Sequence, residues 1–287
     1  MITRMLFGFP NLIDSSSLSG GSWTGGALTK IQTRYLREYA ISADLDSAST
    51  RFDITLPKSF LIRVLAIPSH NLTVNATYRI QASEASDFST LVYDSGASYK
   101  AAWVSPSTTQ VDWEADVDYG LYRPTDLDIG FRPWCLVHAI PAGVQARYWR
   151  VLLEDSGNSD GALKIGRVFI GGGFLTDINP AYGASFLVET NTAVDLSSSG
   201  HETFRTKEPY RVFRFDLDLA SDAYGFSRHM ELMLRAGLDK EVLPVLYPDA
   251  TRDVQRQVFM GRLRRLGAVE MANFQLSSIG YEIKELQ

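Results

Sequence analysis

Apolar and polar residues alternate in short segments along the first half of the chain. In one segment Phe52, Ile54 and Leu56 are apolar and the residues between them are polar. The same period of two recurs around Tyr78 and Ile80. Because successive side chains of a strand point to opposite faces, this pattern predicts half-buried β-strands. Gly, Ser, Asn, Asp and Pro separate the segments, as in antiparallel sandwiches and barrels.

The second half continues this alternation and then changes period. One segment has apolar residues at every second position, which predicts a strand with one core face: Phe213, Phe215, Leu217 and Leu219. The next segment has helical spacing, with Met230, Met233 and Leu234 placed for one face. Ser227 is suited to begin this helix as its N-cap, and Gly237 to end it. We therefore expect one short helix inside a β domain.

Two long strands are expected to close the chain, at 257–266 and 273–286. Within the second strand, the apolar residues before and after Ser277 and Ser278 fall in different phases. One extra residue in a strand produces such a change of phase. We therefore predict a β-bulge at the two serines.

A run of three glycines, Gly171 to Gly173, follows a segment predicted as a strand. Three residues without side chains give the backbone unusual freedom, so we expect a hinge or a tight crossing there. We place the boundary between two domains, 1–173 and 174–287, at this run.

Composition excludes several classes of protein. The 287 residues suffice for two domains, and a net charge of −5 with a pI near 5.4 argues against nucleic-acid binding. Cys135 is the only cysteine, which excludes an internal disulfide and a thiolate zinc cluster. No apolar run reaches the roughly 20 residues of a membrane span. No long apolar segment precedes Asn11, so we also expect no signal peptide.

The sequence lacks the local motifs of common catalytic and cofactor sites. Its four histidines have no short metal-ligand spacing; they are His70, His138, His201 and His229. Neither a Gly-x-Ser-x-Gly segment nor a phosphate-binding glycine motif occurs. We therefore predict that the chain is not an enzyme and uses no cofactor.

Four carboxylates at every second position form a candidate metal site: Asp112, Glu114, Asp116 and Asp118. On an extended strand they would share one face, where a hard cation such as calcium could bridge them. Val117 stands where a helical calcium loop has glycine. The alternative is a solvated strand edge, where the charges prevent unwanted pairing with other strands.

The same region is rich in aromatic residues, of which the carbohydrate-binding candidates are Trp103, Trp113, Tyr119 and Tyr122. Aromatic rings can stack on sugars or anchor a protein interface. Packing within the core and its loops is the alternative for the same residues.

Residues 11–173 resemble the discoidin-type, galactose-binding-like sandwiches carried by phage tail proteins. The segments that carry this resemblance are Leu18 to Trp23, Ile67 to Leu72 followed by Ala76 to Ile80, and Ala146 to Val151 followed by Ile165 to Gly171. The resemblance implies a jelly-roll β-sandwich. Some members of that fold bind glycans, and others act only as spacers.

Residues 174–287 are similar to the ring-forming domains of distal tail and baseplate proteins in tailed phages. The similarity lies in the order of a long strand, a short helix, the segment Pro244 to Asp249 and two closing strands. It implies a smaller β-sandwich or barrel with one α-helix, assembled around the tail axis.

Together these observations predict a mainly β, non-enzymatic structural component of a phage tail tip or baseplate. We expect it to form a homo-oligomeric ring, to contact other tail proteins and to present a host-facing domain. It would be made in the host cytoplasm and reside in the virion. The alternative is an adhesin that recognises host-surface polysaccharide through its aromatic loops.

Overall fold

The computed structural model describes residues 4–96, 98–103, 134–249 and 257–287. The chain is mainly β, with 46% strand and 11% helix, which confirms the predicted fold class. Its strands are β1 (Leu6–Gly8), β2 (Ser17–Ser19), β3 (Ala40–Ile41), β4 (Phe52–Ile67), β5 (Thr77–Ser83), β6 (Leu91–Asp94), β7 (Lys100–Ala101), β8 (Leu136–Glu154), β9 (Lys164–Ile165), β10 (Phe169–Gly171), β11 (Phe174–Leu175), β12 (Ser185–Glu189), β13 (Ala193–Leu196), β14 (Glu202–Arg205), β15 (Tyr210–Ser221), β16 (Glu241–Val245), β17 (Gly261–Leu263), β18 (Val269–Asn273) and β19 (Leu276–Glu285).

The chain divides into two compact units. Unit 1 contains Met1–Leu175 and Leu243–Phe259, and unit 2 contains Thr176–Val242 and Met260–Gln287. Each unit is therefore made of two separate segments of the chain. The domain boundary after Gly173 stays a prediction, because compactness alone does not establish that a segment folds independently.

Unit 1 is built on an antiparallel sheet with the order β10-β4-β8-β5-β6, to which β2 and β7 add at β4 and β5. Phe52 lies opposite Val151, and Ile54 lies opposite Trp149; all four side chains are fully buried. The predicted inward positions of these strands are confirmed. Short helices stand between the strands at Ile13–Ser15, Leu28–Gln32 and Ser47–Thr50.

The glycine run is a tight backbone crossing within unit 1. A Cβ on Gly173 would lie 1.7 Å from the carbonyl oxygen of Phe7, and the φ of Gly173 is +66°. A Cβ on Gly171 would lie 2.4 Å from the carbonyl oxygen of Pro10. Of the two predicted alternatives, the structure therefore has the crossing, because neighbouring backbone occupies the space of the missing side chains.

Unit 2 contains an antiparallel sheet in the order β17-β19-β15-β12, with the Glu241–Val242 end of β16 on β17 and β18 on β19. Phe186 on β12 lies opposite Phe213 on β15, and their rings stack with centroids 4.2 Å apart. Strands β13 and β14 form a separate hairpin between β12 and β15.

The β-bulge predicted near the end of the chain lies on the neighbouring strand. Leu217 pairs with Ile279 and Ala220 pairs with Ser277, so β15 uses one residue more than β19. The extra length includes Leu219, whose φ is +63° and whose side chain is exposed. Because Ser277 and Ile279 are both buried on one face of β19, the predicted position at the two serines is wrong.

The helix of unit 2 runs from 222 to 236 in three consecutive segments, namely Asp222–Tyr224 (α), Gly225–Met230 (π) and Glu231–Ala236 (α). Gly237 follows it with a φ of +56°, as predicted. Ser227 is not its N-cap, because it lies inside the helix and its hydroxyl donates to the carbonyl of Ala223. Met233 faces the core, whereas Met230 and Leu234 are exposed, so the predicted common face is wrong.

Candidate functional site

His138 lies between two tyrosines in unit 1. The hydroxyl of Tyr78 is 3.1 Å from Nδ1, and that of Tyr93 is 2.7 Å from Nε2. Burial, together with the charge of Lys100, lowers the pKa of His138 to about 4. A neutral imidazole has one donor and one acceptor, so one tyrosine donates to the ring and the other accepts from it. Both ring nitrogens are occupied, and this arrangement holds the sheet together.

His70 forms a second aromatic cluster with Trp134 and Trp103, and we call these three residues the indole cluster. The rings of His70 and Trp134 meet edge-to-face at 4.2 Å, and those of Trp134 and Trp103 at 5.2 Å. The side chain of His70 is half-buried, and both tryptophans are buried. Burial lowers the pKa of His70 to about 3, so its ring is neutral at pH 7.

The indole cluster carries three hydrogen-bond donors. The backbone N–H of Leu72 donates to Nδ1 of His70 at 3.1 Å, so the neutral ring carries its proton on Nε2. Nε2 of His70 and the indole nitrogens of Trp103 and Trp134 are buried, and none has an acceptor among the described residues. Unpaired buried donors cost about 1–3 kcal/mol each. The three donors therefore require acceptor atoms that the described residues do not supply.

Of the four predicted carbohydrate-binding residues, Trp103 alone lies within the described part of the chain. Trp103 is 8% exposed and packs edge-to-face on Trp134, so it is part of the core in this state. Trp113, Tyr119 and Tyr122 lie outside the described residues. A role of these four residues in sugar binding stays a prediction.

The predicted carboxylate site also lies outside the described residues, as do all of its four members: Asp112, Glu114, Asp116 and Asp118. Within the part of the chain that the structure describes, no three His, Cys, Asp or Glu side chains are placed to hold a metal ion.

Unit 2 has a polar groove of about 420 Å³ beside the bulge in β15. Among its lining residues are Asp216, Asp218, Arg265, Glu270 and Ser278. The hydroxyl of Ser278 donates to Asp218 at 2.5 Å. The groove is open and its carboxylates lie in water, as expected of a solvated surface.

The buried histidine of unit 2, His229, is also structural. Nδ1 of His229 lies 2.9 Å from the hydroxyl of Tyr281, which joins the helix to β19. Burial lowers the pKa of His229 to about 4, so it is neutral at pH 7. The tyrosine hydroxyls that contact His138 and His229 join neighbouring elements of the fold.

The hairpin of unit 2 exposes an apolar face. Every residue of β13 and β14 is exposed. Residues directly opposite in an antiparallel pair share a face; Val194 lies opposite Phe204, and Leu196 lies opposite Glu202 on the same face. The three apolar side chains of this face, Val194, Phe204 and Leu196, are 54%, 57% and 70% exposed, respectively. We call them the hairpin face.

The other side of this hairpin is polar. Ala193, Asp195, Thr203 and Arg205 lie there, and Arg205 forms an ion pair with Asp195 at 2.9 Å. The hairpin therefore has one largely apolar and one largely polar side, and all of its strand residues are exposed. Sequence reasoning missed this feature, although the alternation Val194-Asp195-Leu196 carried the signal.

No helix in the described part of the chain is both long enough and apolar enough to cross a bilayer.

Comparison with known proteins gives only distant likenesses. No family model matches the chain, and no curated protein matches its sequence. Two solved carbohydrate-binding modules from Clostridium perfringens, one from a family 31 glycoside hydrolase and one of family 32 in complex with galactose, are each 11% identical. Each match covers 57% of this chain and 98% of the module, with TM-scores of 0.34 and 0.36.

A fucolectin from striped bass serum is also 11% identical, with 74% of this chain and 72% of the lectin covered at a TM-score of 0.36. These three proteins are carbohydrate-binding modules and a lectin, and none is described as a phage tail protein. At such TM-scores the likenesses carry no argument about function, and the β architecture rests on the strands themselves.

Proposed function

We propose that this chain is a non-catalytic structural protein that assembles with further copies of itself in a phage tail tip or baseplate. The single observation that carries the assembly is the hairpin face of unit 2. The placement in a phage tail depends on the sequence resemblance alone. In this proposal unit 2 supplies the contacts between copies, and unit 1 is available for other partners.

The hairpin face supports assembly because a two-stranded ribbon has little stability of its own in water. Its turn and strands gain stability when a further layer covers the apolar side. Val194, Leu196 and Phe204 leave more than half of their surfaces in water, although polar residues would serve an exposed ribbon better. A second protein surface packed on this face would remove the three apolar side chains from water.

The non-catalytic part of the proposal draws support from the chemistry of the buried groups. Two tyrosines occupy both nitrogens of His138, and Tyr281 occupies one nitrogen of His229. Cys135 is buried, and its thiol is directed at the carbonyl of Leu136. These contacts stabilise the fold and leave these groups poorly placed for attack on a substrate.

Size-exclusion chromatography with light scattering tests the assembly. We expect the full chain to form oligomers and the double variant Val194→Thr/Phe204→Thr to remain monomeric, since threonine suits a strand but not an apolar interface. Ala193→Thr is the matched control on the polar side of the same hairpin. Equal masses for all three proteins would count against assembly through this face.

Carbohydrate binding by unit 1 is the second candidate function. The observation that favours it is the indole cluster, whose three N–H donors have no acceptor among the described residues, because a sugar offers many acceptor oxygens. A glycan array with the full chain tests it. We expect binding that weakens in Trp103→Phe, which keeps a ring but loses the N–H, and in Trp113→Ala.

Trp149→Phe is the control for this experiment. It removes a buried indole that already donates to the carbonyl of Ala146 at 3.4 Å, so it changes the core without touching the cluster. A loss of binding that is equal in Trp103→Phe and Trp149→Phe would indicate damage to the fold and would contradict a sugar site at the cluster.

A further inference from the structure

Strand β6 lies at an edge of the sheet of unit 1. Within the described part of the chain it pairs with β5 alone, through Gln81, Ala82 and Ser83. Two of its four residues, Leu91 and Val92, are exposed. Edge elements with few buried apolar contacts open more easily than the core of a domain. Separation of β6 from the sheet therefore costs less than unfolding of unit 1.

Tyr93 joins β6 to β8. Its hydroxyl lies 2.7 Å from Nε2 of His138, and the two rings are tilted with centroids 5.9 Å apart. His138 is buried, whereas Tyr93 is half-buried. Separation of β6 takes this hydroxyl away from Nε2 and lets water reach the nitrogen.

The groups around His138 oppose a positive charge on its ring while β6 is in place. Tyr78 on β5 occupies Nδ1 at 3.1 Å and is itself buried. Burial lowers the pKa of His138, and the charge of Lys100 on β7 lowers it further. A protonated ring would therefore be a buried cation close to a second cation, which is unfavourable.

The other elements that pack against His138 do not offset this charge. On β4 the directly opposite residue is Leu65, and Arg63 nearby donates to a backbone carbonyl of β8. On β6 the carboxylate of Asp94 accepts two hydrogen bonds from Arg79, at 3.0 and 2.5 Å. These bonds lower the pKa of Asp94 to about 2, so the ion pair is intact at pH 5. Of the described ionisable groups that hold β6, His138 is therefore the one that responds to mild acid.

We infer that mild acid separates β6 from the sheet of unit 1, because the imidazole of His138 accepts a proton once Tyr93 has moved away. This response goes beyond the proposed function and does not depend on assembly. The closed form, with β6 in place, binds the proton poorly, so the open fraction rises as the pH falls. With pKa values of about 4 for the closed form and 6.5 for the open form, the open fraction at pH 5 is up to about twentyfold that at pH 7.

Hydrogen–deuterium exchange of the full chain, read by mass spectrometry at pH 5, 6 and 7, tests this response. Protection factors, which remove the intrinsic effect of pH on exchange, are compared between β6 and residues 52–56 of β4. We expect the protection of β6 to fall by roughly ten- to twentyfold from pH 7 to pH 5, and that of 52–56 to fall less.

His138→Gln keeps a donor and an acceptor but has no charge to gain, so the protection of β6 should fall by less than about twofold. His201→Gln is the matched control, because it changes an exposed histidine of unit 2 in the same way. It should keep the full response. Equal falls in His138→Gln and the wild-type chain would overturn the inference, as would equal falls in β6 and 52–56 of the wild type.

Lys100→Gln gives a second test that leaves the buried imidazole in place. It removes an exposed cation that opposes protonation of the closed form, so β6 should lose less protection at pH 5 than in the wild-type chain. If His138→Gln does not fold, this comparison decides. An equal or larger loss in Lys100→Gln would then contradict the role of His138.

Discussion

Gly173→Ala tests the tight crossing in unit 1. Alanine at a φ of +66° costs about 1–2 kcal/mol relative to a relaxed backbone, and the lower entropy of the unfolded chain offsets about 0.4–1 kcal/mol of that. The new Cβ would stand 1.7 Å from the carbonyl oxygen of Phe7, about half of an ordinary contact distance. The neighbouring backbone must move to make room for the methyl group, which adds about 1–3 kcal/mol or more to the loss of folding stability.

Gly161→Ala is the matched control. Gly161 has a φ of +68°, yet nothing lies within 4 Å of the Cβ that alanine would add. We therefore expect Gly161→Ala to lower the free energy of unfolding by about 0.5–1 kcal/mol and Gly173→Ala to lower it by about 3 kcal/mol. The difference between the two variants isolates the clash with backbone.

Urea denaturation followed by tryptophan fluorescence measures this difference. Four tryptophans lie among the described residues of unit 1, so their signal reports its unfolding; they are Trp23, Trp103, Trp134 and Trp149. If Gly173→Ala and Gly161→Ala lower the free energy of unfolding equally, the tight crossing is refuted and the glycine run is a flexible hinge instead. If Gly173→Ala yields no folded protein while Gly161→Ala does, the clash lowers the free energy of unfolding by more than the expected amount.

Three further predictions concern local features. The pKa of His138 is about 4 in the fold and 6.5 in the unfolded chain, so the unfolded state binds more protons between these values. The contribution of His138 to stability is complete above pH 6.5 and falls by about 2 kcal/mol at pH 5. His70 and His229 have pKa values lowered in the same way, so His138→Gln should reduce the slope of stability with pH from 5 to 7 by about one third in denaturation curves. Asp14→Asn, which weakens the partner of the buried Arg167, should cost about 1–3 kcal/mol, whereas the exposed Asp195→Asn should cost under about 1 kcal/mol. Leu219→Gly should raise the free energy of unfolding by about 0.5 kcal/mol, measured by circular dichroism, because glycine relieves its positive φ. An unchanged pH slope, equal costs for the two aspartates or a loss of stability in Leu219→Gly would contradict the respective reasoning.

The sequence predicted strands well where alternation and burial coincide. Phe52, Ile54 and Trp149 all face the core, because a period of two fixes the face of each side chain. Reasoning from the same period misplaced the bulge, since a change of phase does not say which of two paired strands carries the extra residue. The positive φ of Leu219 on β15 is a result of pairing with β19, which a single segment does not encode.

The prediction of the buried helix face failed for a different reason. Met230 and Leu234 were assigned with Met233 to one face, but the first two are exposed because the helix turns a different face to the core; the buried residues of that face are His229, Leu232, Met233 and Ala236. The indole cluster was also beyond prediction. His70, Trp103 and Trp134 are far apart in sequence, and their contact depends on the tertiary packing of unit 1.

Sedimentation velocity of the unmodified full chain tests the central claim of self-assembly most directly. Over a series of concentrations, the account predicts species at multiples of the 31.9 kDa chain that grow with concentration. A single monomeric species at every concentration up to the solubility limit would contradict it.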